Sequence, residues 1–128
     1  MSSILRVLKK TVSTGFVAFP GLDLFLDGEC TQPLGEINWG YVRCGETVTR
    51  RVFLKNTGNI TLTLGLNVTG WNPPGASIIT ISWDYHEGTE LGPGVVLGLT
   101  LSCTVPEDVS GIPAPYGFAN TITISGYA

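Results

Sequence analysis

Nucleophilic catalysis by serine or cysteine requires a general base beside the nucleophile, and histidine is the usual base. The chain contains one histidine, His86, between Tyr85 and Glu87 in a stretch typical of a turn. A single histidine in a turn is more typical of a solvated surface residue than of a catalytic one. Cys103 lies on the apolar side of an alternating segment, where a small buried side chain is expected. The sequence therefore predicts no catalytic residues, and we expect no enzyme.

Two pairs of acids, Asp27 with Glu29 and Glu107 with Asp108, have the ligand type that calcium prefers. Both pairs flank predicted turns, where solvated carboxylates are the usual arrangement, so no metal site is expected. Phosphate-binding loops are rich in glycine, follow a strand and open a helix. The sequence has no such loop, and no cofactor is expected.

Carbohydrate is the ligand class that surface residues here could support. Of the three tryptophans, only Trp71 is predicted to lie in a loop, where a sugar-binding platform would stand. Two sequons, which begin at Asn59 and Asn67, could carry an N-linked glycan. Asn59 is predicted in a turn and Asn67 on the polar side of a strand, so both would be accessible.

Three cysteines have a spacing that fits neither a zinc site nor a redox motif. Cys30 and Cys44 flank the segment that contains Trp39, and we expect them to lie close together as a disulfide. This pairing would leave Cys103 buried and unpaired. The alternative is three free thiols.

The elements that position these residues are predicted from a two-residue alternation. Between Ile60 and Val68 every second residue is apolar, and the residues between them are Thr, Gly or Asn. Such alternation is typical of a half-buried strand. The same pattern occurs in residues 22–26, 79–83, 95–105 and 118–124. Turn signals rich in Gly, Pro and Asn recur about every ten residues, which predicts an all-β antiparallel sandwich of seven to eight strands.

The charge distribution is uneven along the chain. Charged residues make up only 13% of the chain, a low fraction that is common in secreted β proteins. The net charge of −3 gives no reason to expect nucleic-acid binding. All seven Lys and Arg lie at or before Lys55, whereas five acids follow Asn56. No apolar run reaches the roughly 20 residues needed to span a bilayer. Residues 4–8 are too short for a signal-peptide core, so no signal peptide is visible.

Longer motifs resemble a known class of domains. Residues 37–66, INWGYVRCGETVTRRVFLKNTGNITLTLGL, resemble the immunoglobulin-like modules of the ASH and PapD-like class, with Gly40 and Gly45 at its two glycine positions. A closer resemblance, over about residues 13–126, is to archaeal extracellular immunoglobulin-like proteins. It rests on the motifs at residues 13–15, 27–40, 71–76, 79–85 and 110–126. Cys44 departs from the pattern, which often has Pro there, and the apolar leader of the exported relatives is not seen.

The resemblance implies an immunoglobulin-like antiparallel β-sandwich at residues 13–128, preceded by an N-terminal arm at residues 1–12. Some TasA-like relatives form extracellular filaments in which the N-terminal strand of one subunit completes the sheet of the next. The expected function is therefore a structural subunit of an extracellular or cell-surface filament, pilus or surface assembly. The alternative is a monomeric adhesion or binding module, or a virion structural protein.

Strand addition between copies would place the apolar arm residues on a neighbour's sheet edge. These assembly residues are Ile4, Leu5, Val7, Leu8 and Val12. The arm also carries Arg6, Lys9 and Lys10, which are opposite in charge to the acidic C-terminal half. The expected partner is a second copy of the chain, in a homo-oligomer or polymer.

Overall fold

A computed structural model describes residues 8–128 of the chain. The predicted arm residues Ile4, Leu5 and Val7 lie outside the described residues. The described chain is built from strands, with one short 3-10 helix at Pro74–Ile78. None of its helices is long and apolar enough to cross a membrane.

Six strands form two antiparallel sheets. Their bounds are β1 Leu22–Phe25, β2 Thr47–Asn56, β3 Thr63–Asn72, β4 Thr80–Trp83, β5 Val96–Thr104 and β6 Ala119–Tyr127. One sheet has four strands in the order β1-β2-β5-β4, and the other has only β3 and β6. The prediction of an all-β antiparallel fold is confirmed, although the described residues form six strands rather than seven or eight.

The core lies on the inner face of the four-stranded sheet. The alternation predicted for residues 95–105 is confirmed from Leu99 to Val105, because Leu99, Leu101, Cys103 and Val105 are all buried, whereas Val95 is 48% exposed. They pack with Val52 and Leu54 of β2, which pairs with β5 over nine residues. A run of buried apolar side chains on two neighbouring strands makes these strands the stable centre of the fold.

The inner face of the two-stranded sheet is covered less completely. In β3 only Leu64 is buried, whereas Leu66 and Val68 remain half-buried. Their partners Ile124 and Ile122 in β6 are also half-buried. Two strands cannot cover an inner face that four strands present, so part of the apolar surface between the sheets stays open to solvent.

A buried asparagine, Asn56, joins three parts of the chain at the end of β2. Its side chain is 0% exposed. Its Nδ2 donates hydrogen bonds to Ile60 O (2.7 Å) and Leu91 O (2.9 Å), and its Oδ1 accepts one from Gly58 N (3.0 Å). The buried amide is therefore fully used, as a buried polar group must be to avoid a desolvation penalty.

We predict that Asn56→Ala lowers the free energy of unfolding by roughly 2–4 kcal/mol, because it leaves Ile60 O and Gly58 N without their partner and removes one of the two hydrogen bonds to Leu91 O. Urea unfolding followed by tryptophan fluorescence measures this loss. Asn67→Ala is the matched control, since Asn67 is exposed on β3 and should change stability by less than about 0.5 kcal/mol. Equal stability of the two variants would contradict the role given to Asn56.

Candidate assembly site

The chain before β1, residues 8–21, contains no strand and exposes large apolar side chains. Phe16 is 99% exposed, and Val12 is 85% exposed. Leu8, Val17 and Phe19 are also exposed. This part of the chain is called the N-terminal segment below. Soluble monomers rarely expose so many large apolar side chains in one short segment unless these meet a partner.

Asn59 holds the base of the N-terminal segment with its side chain and its backbone. Its Oδ1 accepts a hydrogen bond from Phe19 N (2.6 Å), and its Nδ2 donates one to Val17 O (2.9 Å). Asn59 N donates to Phe19 O (2.9 Å), and Thr57 N donates to Gly21 O (3.1 Å). These contacts continue the antiparallel register of β1 with β2, so the segment leaves the body along the line of β1.

Gly58 makes this close crossing of backbones possible. A Cβ at Gly58 would lie 2.0 Å from Phe19 O and 2.6 Å from Gly21 N, well inside the distance at which atoms collide. Only glycine leaves room for the segment to pass here. Sequence reasoning identified this turn but not its contact with the N-terminal segment.

A groove of about 350 Å³ lies beside β6, between the two sheets. We call it the β6 groove. Its lining combines polar and apolar groups, and the large apolar residues among them include Leu24, Ile37, Trp39, Leu101, Phe118 and Ile122. The residues that line it begin at Leu24, so the N-terminal segment does not occupy it.

The opposite wall of the groove is held in place by Arg50 and by pairing with β1. Leu34 N donates to Leu24 O (3.0 Å), which aligns residues 32–34 with β1. The Arg50 guanidinium donates to Asn38 O and Trp39 O, both at 3.2 Å, and lies 6.0 Å from the Trp39 ring centroid. Arg50 therefore fixes the buried Trp39 at the groove through charge-assisted hydrogen bonds.

The edges of the two sheets differ in how they are covered. β1 is flanked by residues 32–34, and β4 has only four residues. The outer side of β3 is capped by Tyr85, whose hydroxyl accepts a hydrogen bond from Leu64 N (3.0 Å), and by Leu91, which bridges Leu62. Along the nine residues of β6, the described chain supplies no backbone hydrogen bond to the outer side. An uncovered edge of this length is a template for another strand.

The predicted disulfide between Cys30 and Cys44 is wrong, because all three cysteines are free. The Cys30 Sγ lies 4.0 Å from Gly28 O, in a loop that packs on the Phe53 ring. Cys44 instead lies in the turn before β2 begins at Thr47. Along β2, Thr47 lies six extended residues from Phe53, a distance of roughly 20 Å. A disulfide requires Cα atoms within about 7 Å.

Cys103 is buried on the inner face of β5, as predicted from its position in the alternation. Burial raises the pKa of its thiol above the usual value, because the core disfavours a thiolate. The thiol is therefore shielded from reagents and held in its unreactive form.

The acids near turns serve local structure. Asp27 accepts hydrogen bonds from the Thr31 hydroxyl, from Thr31 N (2.9 Å) and from Gln32 N (3.0 Å), and these bonds, the Thr31 hydroxyl first, lower its pKa. The pKa of Asp108 is lowered by hydrogen bonds from Ser110. Among residues 8–128, no three His, Cys, Asp or Glu come together in a way that could hold a metal ion.

The three tryptophans do not form an open platform. Trp39 is buried, and Trp71 packs on Phe118 with ring centroids 6.4 Å apart. Trp83 packs on Tyr85 at 4.9 Å. Each indole is thus at least half-buried against its own domain, which leaves little ring surface for a sugar.

The remaining candidates are exposed. His86 lies in a turn, and its carbonyl accepts a hydrogen bond from Thr89 N (3.0 Å). Asn67 lies on the outer side of β3 and faces solvent. Asn59 is also exposed, but the nitrogen that would carry a glycan is the one that binds Val17 O.

Comparisons with models of protein families, with curated proteins and with solved structures find no match to this chain.

We predict that Asn59→Ala releases the base of the N-terminal segment, since it removes the side-chain partners of Phe19 N and Val17 O. The Phe19 amide should exchange with solvent deuterium at least about tenfold faster, while amides of β5 keep their rates. Asn67→Ala is the control, because it removes the other sequon but no contact with the segment. Unchanged exchange at Phe19 in Asn59→Ala would show that these hydrogen bonds do not hold the segment.

A second prediction concerns the thiols. Alkylation of the native protein without reduction should modify Cys30 and Cys44 but not Cys103, which should react only after denaturation. Intact mass measurement counts the modified thiols. A native protein that takes up no label until it is reduced would contradict the finding that all three cysteines are free.

Proposed function

We propose that this protein is a structural subunit of an extracellular filament, pilus or surface assembly. In this assembly an N-terminal segment of one immunoglobulin-like domain adds as a strand to the next copy. The single observation that carries the proposal is the N-terminal segment itself, which forms no strand, exposes five large apolar side chains and is bound to its own domain by Asn59 at Val17 and Phe19.

Burial of this segment would contribute substantially to association. Leu8, Val12, Phe16, Val17 and Phe19 are all more than half exposed in the single chain. Transfer of each large apolar side chain from water contributes roughly 1.5–3 kcal/mol. Main-chain hydrogen bonds to a sheet edge would add affinity, and alternate side chains would set the register.

Charge favours an encounter between copies. Lys9 and Lys10 of the segment are exposed, whereas the chain after Lys55 carries acids and no Lys or Arg. Opposite charges on the two partners raise the rate of association. A contact in which one surface of a copy meets a different surface of the next does not close on itself, and it produces linear polymers.

We predict that deletion of residues 2–12 leaves a folded monomer that no longer polymerises, because the core elements begin only at Leu22. Sedimentation velocity at high protein concentration and low salt measures the polymers, and far-ultraviolet circular dichroism confirms the β structure. A variant with residues 2–12 in shuffled order is the control, since it keeps the composition and charge. Polymers in that variant equal to wild type would indicate unspecific adhesion of the segment.

The alternative function, a monomeric adhesion or binding module or a virion structural protein, predicts a different result. In that case the full chain sediments as a monomer under the same conditions. That outcome would overturn the proposal of self-assembly.

A further inference from the structure

We infer that the acceptor in this assembly is the outer edge of β6, and that its occupant is residues 8–16 of a second copy, with Leu8, Val12 and Phe16 seated in the β6 groove. The inference rests on the proposed function and specifies its interface. Residues 8–16 are called the donor stretch below.

Backbone groups of β6 are free to pair along this edge. In an antiparallel ladder, residues alternate between bonding to the partner strand and pointing away from it. Leu64 N points away from β6, to the Tyr85 hydroxyl, so its partner Gly126 points its peptide groups away from β3. By the same alternation Ile124 and Ile122 present their N–H and C=O groups to the open side.

Beside β6, the smaller sheet of the described chain has no third strand to cover the groove. Leu24 and Leu101 of the four-stranded sheet form part of its lining, opposite Ile122 and Ile124. A third strand beside β6 would place every second side chain over these residues and complete the thinner sheet. Ile122 and Ile124 are only half-buried, so a third strand here would bury more of both side chains.

The donor stretch has the alternation that such a strand needs. Its even-numbered positions include Leu8, Val12 and Phe16, whereas the odd positions are Lys9, Thr11, Ser13 and Gly15. One face is therefore apolar at three of five positions, and the other is wholly polar or small. Nine extended residues span roughly 30 Å, which matches the nine residues of β6.

The charges near the groove and the direction of the N-terminal segment favour insertion into a second copy rather than into the groove of the same domain. Glu36 is the charged residue in the groove lining, and Lys9 and Lys10 lie in the donor stretch. The hydrogen bonds of Asn59 keep residues 17–21 on the line of β1, which leads away from Leu24 and Leu34 at the groove. The segment would have to reverse direction to reach the groove of its own domain.

The acceptor is tested with Gly35→Arg in the full chain. Gly35 lines the groove, and a Cβ there meets no atom within 4 Å, so an arginine adds bulk and charge at the groove without straining the single domain. Thr123→Arg is the matched control, because it adds the same charge to the exposed outer face of β6. Polymers measured by sedimentation should be lost in Gly35→Arg and kept in Thr123→Arg.

The donor is tested with the double variant Val12→Asp and Phe16→Asp, against Thr11→Asp and Ser13→Asp as control. Both add two negative charges, but only the first places them on the apolar face. We expect the first to be monomeric and the second to polymerise. Circular dichroism and thermal unfolding verify that every variant is folded.

A mixture of the two defective variants distinguishes the interface from the function. Gly35→Arg has an intact donor, and the Val12/Phe16 variant has an intact acceptor, so together they should form a complex of twice the 13.6 kDa subunit mass and stop there. Polymers of Gly35→Arg equal to wild type would overturn the β6 acceptor and leave the proposed function standing. Polymers of the Val12/Phe16 variant equal to wild type, or a monomeric wild type, would overturn strand addition by this segment altogether.

Discussion

The buried amide of Asn56 is the interaction on which the geometry of this protein depends. It ends β2, binds the carbonyls of Ile60 and Leu91, and orients the turn through Gly58 N. That turn places Gly58 and Asn59 against the N-terminal segment, so one side chain links the core to the direction in which the segment leaves. Because the amide is wholly buried, no water can replace these bonds without opening the core.

A second constraint is the unequal size of the two sheets. Four strands face two, so part of the apolar surface between the sheets is open beside β6, whereas the other three sheet edges are short, flanked or capped. Natural sheets usually protect a long edge with charge, proline or a covering segment. Ile122 and Ile124 face inward from β6, and no charge, proline or covering segment of the described chain protects their exposed sides. The edge is thus better suited to receiving a strand than to remaining in water.

The sequence predicted the strands whose alternation is strong, because a period of two follows from the backbone alone. The buried row from Leu99 to Val105 and the half-buried β3 are examples. Contacts between distant segments were less accessible. Cys30 and Cys44 are close in sequence around Trp39, yet the pairing of β1 with the far half of β2 separates them. The sequence singled out Asn59 only as a sequon. Nothing local in the sequence indicates its hydrogen bonds to residues 17–19.

The contacts of the N-terminal segment are separate from those of the core, and this separation has a consequence for assembly. The segment is held by a few hydrogen bonds to Asn59 and Thr57, while its apolar side chains remain exposed. In the proposed assembly, a copy would therefore give its segment to a neighbour without losing any buried core residue. In the proposed assembly, the free energy gained on strand addition would be offset by the ordering of about nine residues and by the lost translational and rotational freedom of the copies, but not by unfolding of the donor.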